Sequence, residues 1–387
     1  MKKRIITFLL GLISISLFAQ DLENIEVSII TCDPGTEIYE AFGHTAIRIY
    51  DKTNPYNYDV IYNYGVFDFY QDNFIARFVK GQTDYTLACQ STRSFFRNYK
   101  NENRSIYEQT LNLTEEQKKH LIYKLEENAL PENCEYRYNF FFDNCATRPY
   151  NLIKNDQYTF TGKIPEITFR EMIMQYSSPN YPWGEFGINL LIGAPADRPA
   201  SIEEQNFIPF YLKNFLENYK KDDQSIVSEG HYIYHTETAV TQPPFITPTV
   251  CFSIILIIVI ILTFVLRNKE WNYIIDVFLF TFVGILGCVV FYVSFCSEHP
   301  CVFPNYNIIW ANPLQLLFGL SLLIKPLRKY TTNYHFFNEF ILFIYIFALI
   351  VIPQYISKSA ILIIFTLLIR SEFVIGQKLF VKNKTKK

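Results

Sequence analysis

The sequence predicts an α+β domain followed by an α-helical membrane bundle. Three observations carry that expectation. Short β-branched runs separated by turn residues recur between Leu22 and Leu113. One well-capped helical pattern follows them at Thr114. Beyond Ile246 the 387-residue chain changes from mixed and polar to largely apolar. The formal net charge of −2 supplies no basic field for a nucleic-acid partner. The chain holds no zinc-type CxxC pair and no GxxxxGK[ST] loop, so no metal and no cofactor is expected.

The elements follow in order. Met1-Lys2-Lys3-Arg4, an apolar run to Phe18 and then Ala19-Gln20 read as a secretory signal peptide over 1–19. Strands are expected at 22–30, 45–50, 60–69, 83–89 and 104–113, with Asp33-Pro34-Gly35 as a turn. The 45–50 strand sets Ala46, Arg48 and Tyr50 on one face and Thr45, Ile47 and Ile49 on the other. Thr114-Glu115-Glu116-Gln117 is a capping box, followed at helical spacing by Leu121, Ile122, Leu125 and Ala129 and stopped by Pro131. Residues 20–155 thus form the exported domain. Residues 156–246, rich in Pro, Tyr and Asn, form an extension with helical patterns at 168–176 and 201–219.

A membrane domain is expected over 247–376, with five spans at 250–266, 277–295, 308–324, 336–352 and 359–375, and a basic tail over 377–387. Asn312-Pro313-Leu314-Gln315 interrupts the third, and the fifth carries Arg370 and Glu372. With the domain outside, Arg267 and Lys269, then Lys325, Arg328 and Lys329, then the C-terminal lysines all fall on the inner side, as the positive-inside rule requires. The C-terminus is therefore expected in the cytoplasm. Polar Asn305, Asn307, Asn312 and Gln315 run into a span beside Trp310, which suggests a lipid- or substrate-facing groove.

Two residues stand out chemically. Cys145, in Asp143-Asn144-Cys145-Ala146-Thr147, reads as a thiol at the start of a helix, where free amides stabilise a thiolate and hold an oxyanion. His44 follows Gly43 and opens a strand, and the exported region offers only His120, His231 and His235 besides. A thiol with an imidazole base is the minimum for acyl transfer through a thioester. Asn63, Tyr64 and Asp68 are the candidates for the group that orients the imidazole. Arg48 and Arg104 are candidates to meet a phosphate or carboxylate, although ordinary surface charge explains either. Eight cysteines include Cys32, Cys89 and Cys134 beside Cys145 in the exported region, and the sequence leaves their pairing open.

Gly43-His44-Thr45-Ala46-Ile47-Arg48, Tyr62-Asn63-Tyr64-Gly65-Val66-Phe67-Asp68-Phe69 and Asp143-Asn144-Cys145-Ala146-Thr147-Arg148 together resemble the Lnb-type lipoprotein N-acyltransferases. The resemblance implies a circularly permuted papain-like (NlpC-type) periplasmic domain, with His before Cys in sequence. It also implies a protein of the bacterial inner membrane that moves a fatty acyl chain from a phospholipid donor to the N-terminal amine of a lipoprotein acceptor. Cys145 is then the nucleophile and His44 the base; of the three candidates to orient the imidazole, Asn63 is assigned as the third catalytic residue, and Arg48, Tyr64, Asp68 and Asn144 are assigned to substrate binding from their place beside these motifs. The competing expectations are a membrane-anchored peptidoglycan amidase or endopeptidase, and a receptor or scaffold without catalysis.

Overall fold

In the computed structural model, residues 22–54, 58–177, 180–237 and 244–384 are described. The expected signal peptide lies outside them. Two compact units result, one from residues up to 167 with 199–241, the other from 168–198 with 242–387.

The first unit is built on a seven-stranded antiparallel sheet. Its strands are β1 (Ile25–Cys32), β2 (His44–Asp51), β3 (Asp59–Val66), β4 (Asp84–Ser91), β5 (Ile106–Thr110), β6 (Glu135–Arg137) and β7 (His231–Tyr234). They lie in the order β7-β5-β1-β2-β3-β4-β6, with Cys32 of β1 opposite His44 of β2. Alternation along the strands gives the sheet two faces. On one, Ile47 and Ile49 pack with Leu121, Ile122 and Leu125 of α3 (Glu115–Asn128), Ala146 and Tyr150 at α4 (Thr147–Ile153), and Phe215 of the helix Pro209–Glu217. On the other, Cys32, Ala46 and Ile61 pack with Phe95 of α2 (Thr92–Asn101). A further helix, α1 (Phe74–Lys80), precedes β4.

The local rules explain most boundaries. Thr114 accepts the Gln117 amide at 3.3 Å while the Gln117 side chain takes the Thr114 amide, closing the expected capping box. The 201–219 helical expectation is corrected: a 3-10 turn, Glu204–Phe207, gives way to a new helix that begins at Pro209. Proline lacks the amide a continuous helix would need there and is well placed as a first helical residue.

Among the described residues of the second unit, three helices are long and apolar enough to cross a membrane, Pro248–Val265, Glu270–Cys296 and Lys358–Lys378. The sequence led us to expect five. Of the other two segments, the helix Thr331–Ala348 opens with the polar Thr331-Thr332-Asn333. The third expected span is cut where Asn312 caps a nine-residue helix, Pro313–Ser321, which rises only about 14 Å. Glycine makes that short helix fit: a Cβ on Gly284 or Gly287 would fall within 2.5 Å of the Leu316 or Asn312 backbone. Arg370 is tolerated because both its ends of charge are matched, with Asp276 accepting at 2.6 and 2.9 Å and both residues buried.

The groove expected around 305–315 is also corrected. Asn305, Asn307, Trp310 and Gln315 are buried. Asn305 and Asn307 donate to the carbonyls of Leu190 and Asn189 at the end of the helix Pro182–Leu191, and Trp310 donates to Asn307 at 3.0 Å. Helix-end carbonyls have no partner within their own helix, and these amides supply one.

Candidate functional site

Cys145 and His44 are brought to the same end of the first unit's sheet. Gly43, at φ +76°, delivers His44 to the start of β2; any Cβ there would strike the Cys32 carbonyl oxygen at 2.7 Å. Gly65 in β3, at φ +91°, faces Cys145, and a Cβ on it would lie 3.2 Å from that residue's own Cβ. The β3–β4 pairing shifts register between Asn63 and Val66, which re-aims the strand where the cysteine approaches.

The imidazole is fixed. His44 Nε2 lies 2.5 Å from Asn63 Oδ1. An amide oxygen only accepts, so Nε2 carries the proton and Nδ1 is the basic nitrogen. Tyr99 stacks on the ring at 6.5 Å, and the Arg104 guanidinium lies 4.5 Å over Tyr99. Burial pushes the imidazole from 6.5 down to about 4, opposed by the Asn63 bond and reinforced by Arg104. Burial pushes the Cys145 thiol up to about 11, opposed by the backbone amides of Thr45 and of Cys145 itself. Both groups are therefore uncharged at neutral pH.

The expected helix-start amides are not free. Asn144 Oδ1 accepts from Ala146 and Thr147 at 2.8 and 2.9 Å, and its Nδ2 donates to the carbonyls of Phe140 and Phe207 at 2.7 and 2.8 Å. Asn144 is buried and fully occupied in holding the Cys145 turn. Polar contact with the thiol comes instead from Thr45, one residue past the imidazole. Pro149 stands in the first turn of α4, where its missing amide costs nothing.

The remaining assigned residues are dispersed. Arg48 is bidentate to Asp59 at 2.7 and 2.9 Å and also donates to Glu108 at 3.1 Å, with its guanidinium over the Tyr50 ring. Tyr64 is completely buried and accepts from Asn128 at 2.8 Å. Asp68 accepts the Tyr70 amide in an exposed turn. None of these three is placed against the thiol or the imidazole by a hydrogen bond among the described residues. Gly65, Tyr99 and Arg104 were not assigned from sequence to this site; Gly65 inside a strand pattern carried a signal, and Arg104 was singled out for a phosphate or carboxylate, whereas it pairs with Glu40 and Glu102 at 3.1 and 2.8 Å. Cys32, Cys89, Cys134 and Cys145 are free thiols; Cys89 is close enough to Cys134 to be affected by it, and Cys32 is buried beside Tyr99.

A half-buried thiol, an oriented imidazole and a helical unit with membrane-crossing lengths define a membrane protein with a thiol-bearing α+β domain. Residues 18–174 match the family model of the Lnb N-terminal periplasmic domain, and residues 240–380 that of the Lnb transmembrane domain. The chain belongs to the Lnb family, with a periplasmic N-terminal domain and a membrane-spanning one. No curated protein and no solved structure matches it.

Proposed function

We propose that the protein is a thiol-dependent acyltransferase that moves a fatty acyl chain from a phospholipid to the N-terminal amine of a lipoprotein. The observation that carries this reading is the Asn63–His44 pair set at the end of the sheet that receives Cys145. His44 Nδ1 takes the thiol proton as Sγ adds to the ester carbonyl. The amides of Thr45 and Cys145, which face the sulfur, are the donors nearest the developing oxyanion. The tetrahedral adduct collapses, the lysophospholipid alkoxide takes the proton from His44, and a thioester remains. The acceptor amine then adds to the thioester carbonyl and gives its proton to His44. Cys145 leaves as the thiolate and regains that proton.

An uncharged resting pair suits such a substrate, because an ion pair beside an acyl chain carries a desolvation cost that a neutral pair avoids. In this reading the papain-like domain faces the periplasm, the bundle crosses the inner membrane about five times, and the lysine-rich end is cytoplasmic.

Intact mass spectrometry of the membrane-purified protein, with and without a lipoprotein-like acceptor peptide, tests the reading. A fatty-acyl adduct is expected on the wild type, removed by hydroxylamine or by the peptide and missing in Cys145→Ala. An acceptor acylated equally by Cys145→Ala overturns it.

A further inference from the structure

The first unit carries a second feature that the chemistry above does not use. Beyond β3 the chain leaves the thiol through Phe67 and forms an outward ridge. Tyr70 is 96% exposed and Ile75, on α1, is 77% exposed, with Tyr39 and Phe69 each about half exposed beside them. The ridge is not a loose tail. Tyr39 meets Phe67 at 5.7 Å and Phe69 at 5.3 Å, and Phe69 meets Phe74 at 5.2 Å, so inward-facing rings brace the outward ones. From Phe67 the aromatic contacts continue to Tyr85 at 4.8 Å and from Tyr85 to Tyr138 at 4.0 Å. Both of those tyrosines lie near Cys145.

We propose that this ridge inserts into the outer surface of the lipid bilayer that holds the protein, and so brings the Cys145 site to its lipid. Three facts favour a bilayer over a protein partner. Apolar and aromatic side chains held outward on a rigid support, with tyrosine among them, match the interfacial zone of a membrane. The same polypeptide carries helices long and apolar enough to cross a membrane, covalently joined to the first unit. The bilayer is thus always within reach at high effective concentration. Finally, residues 67–80 are electrically balanced, with Asp68 and Asp72 against Arg77 and Lys80, and Glu40 beside Tyr39 pairs with Arg104 at 3.1 Å while Glu37 adds a negative charge, so the ridge's attraction is to apolar surface more than to a charged partner. Arg77 is in addition paired with Asp84 at 2.7 Å.

The inference gives the proposed acyl transfer its route to the donor, but its first test does not depend on that reading. The native tryptophans Trp183, Trp271 and Trp310 all lie in the second unit. In the full-length protein reconstituted into vesicles of phosphatidylcholine brominated on its acyl chains, the extra fluorescence of Tyr70→Trp should be quenched. That of Tyr123→Trp, an exposed position on α3, should not. The quenching should persist at high salt. Equal fluorescence for both variants in brominated and plain vesicles overturns the proposal, and leaves the ridge as a surface for a protein partner.

The second arm reads function. Ile75→Asp should lower acyl loading of Cys145 from bilayer phospholipid by about tenfold or more, with loading from a water-soluble short-chain ester unchanged. Equal loss on both donors, or loss on neither, counts against insertion. A wild type that loads from no ester at all overturns the acyl-transfer reading and leaves the quenching result standing.

Discussion

His44 and Arg48 begin from the same strand and the same face of it, and the fold uses them in opposite ways. Arg48 is surrounded: Asp59 and Glu108 take its donors, the Thr92 hydroxyl donates to Asp59, and Phe96 lies 5.6 Å from the guanidinium. Among the described residues His44 is held by a side-chain hydrogen bond at Nε2, and its other nitrogen keeps a lone pair at the end of the sheet that receives the thiol. A cluster whose valences are all filled stabilises a fold. A cluster with one valence held open can take a proton. The contrast separates structural from chemical polarity better than residue type or burial does, since both side chains are half-buried.

The largest expected effect tests the filled cluster. Arg48→Met leaves the Glu108 carboxylate buried beside Asp59 without its cation, a loss of about 3 kcal/mol or more. Thermal melting in detergent should show a large drop, while acyl transfer per folded molecule stays at the wild-type level. A fall in activity without a fall in melting temperature would return Arg48 to the substrate-binding role that its sequence position suggested.

Next in size is the support of the open cluster. Asn63→Ala removes the acceptor that sets the imidazole, and misplacement of a catalytic group by about 1 Å costs up to about 100-fold in rate. Transfer should fall by that order with little change in melting, the reverse of the Arg48 result. Asn63→Ala at full activity would show that the stacked Tyr99 orients the ring without it.

Much of this was legible in the sequence, and the losses have a common cause. Strand alternation at 45–50 and the Thr114 capping box rest on local periodicity, which the chain carries in itself, whereas the expectation of His44 with Cys145 came from elimination among four exported histidines and from the family resemblance. The partners of Arg48 were not legible, because Asp59 and Glu108 reach it across neighbouring strands and a single sequence does not show cross-strand partners. Free amides were expected at the start of the Cys145 helix, whereas the Asn144 side chain takes those of Ala146 and Thr147. The polar residues after Asn305 suggested a groove for the same reason: their partners, the carbonyls of Asn189 and Leu190, lie more than a hundred residues away. In each case the residue type was right and the missing information was who satisfies whom.

The smallest effect, and the sharpest on the open cluster, is on pH. His44 has its protonation lowered from 6.5 to about 4, chiefly by burial. The folded state therefore binds fewer protons than the unfolded chain between those values, so the His44 contribution to stability is intact above pH 6.5 and is lost as the pH falls toward 4. His44→Gln should flatten the melting temperature across that window relative to wild type. In the proposed mechanism the rate follows the same group: with His44 neutral down to about 4, the acid limb of transfer should lie well below the ordinary histidine range. Asn63 supports the protonated ring, so Asn63→Ala should move that limb lower still, even as it reduces the plateau. An acid limb at 6.5 in the wild type would mean that the imidazole is solvated during turnover, and that the neutral pair at the end of the sheet is not the form that reacts.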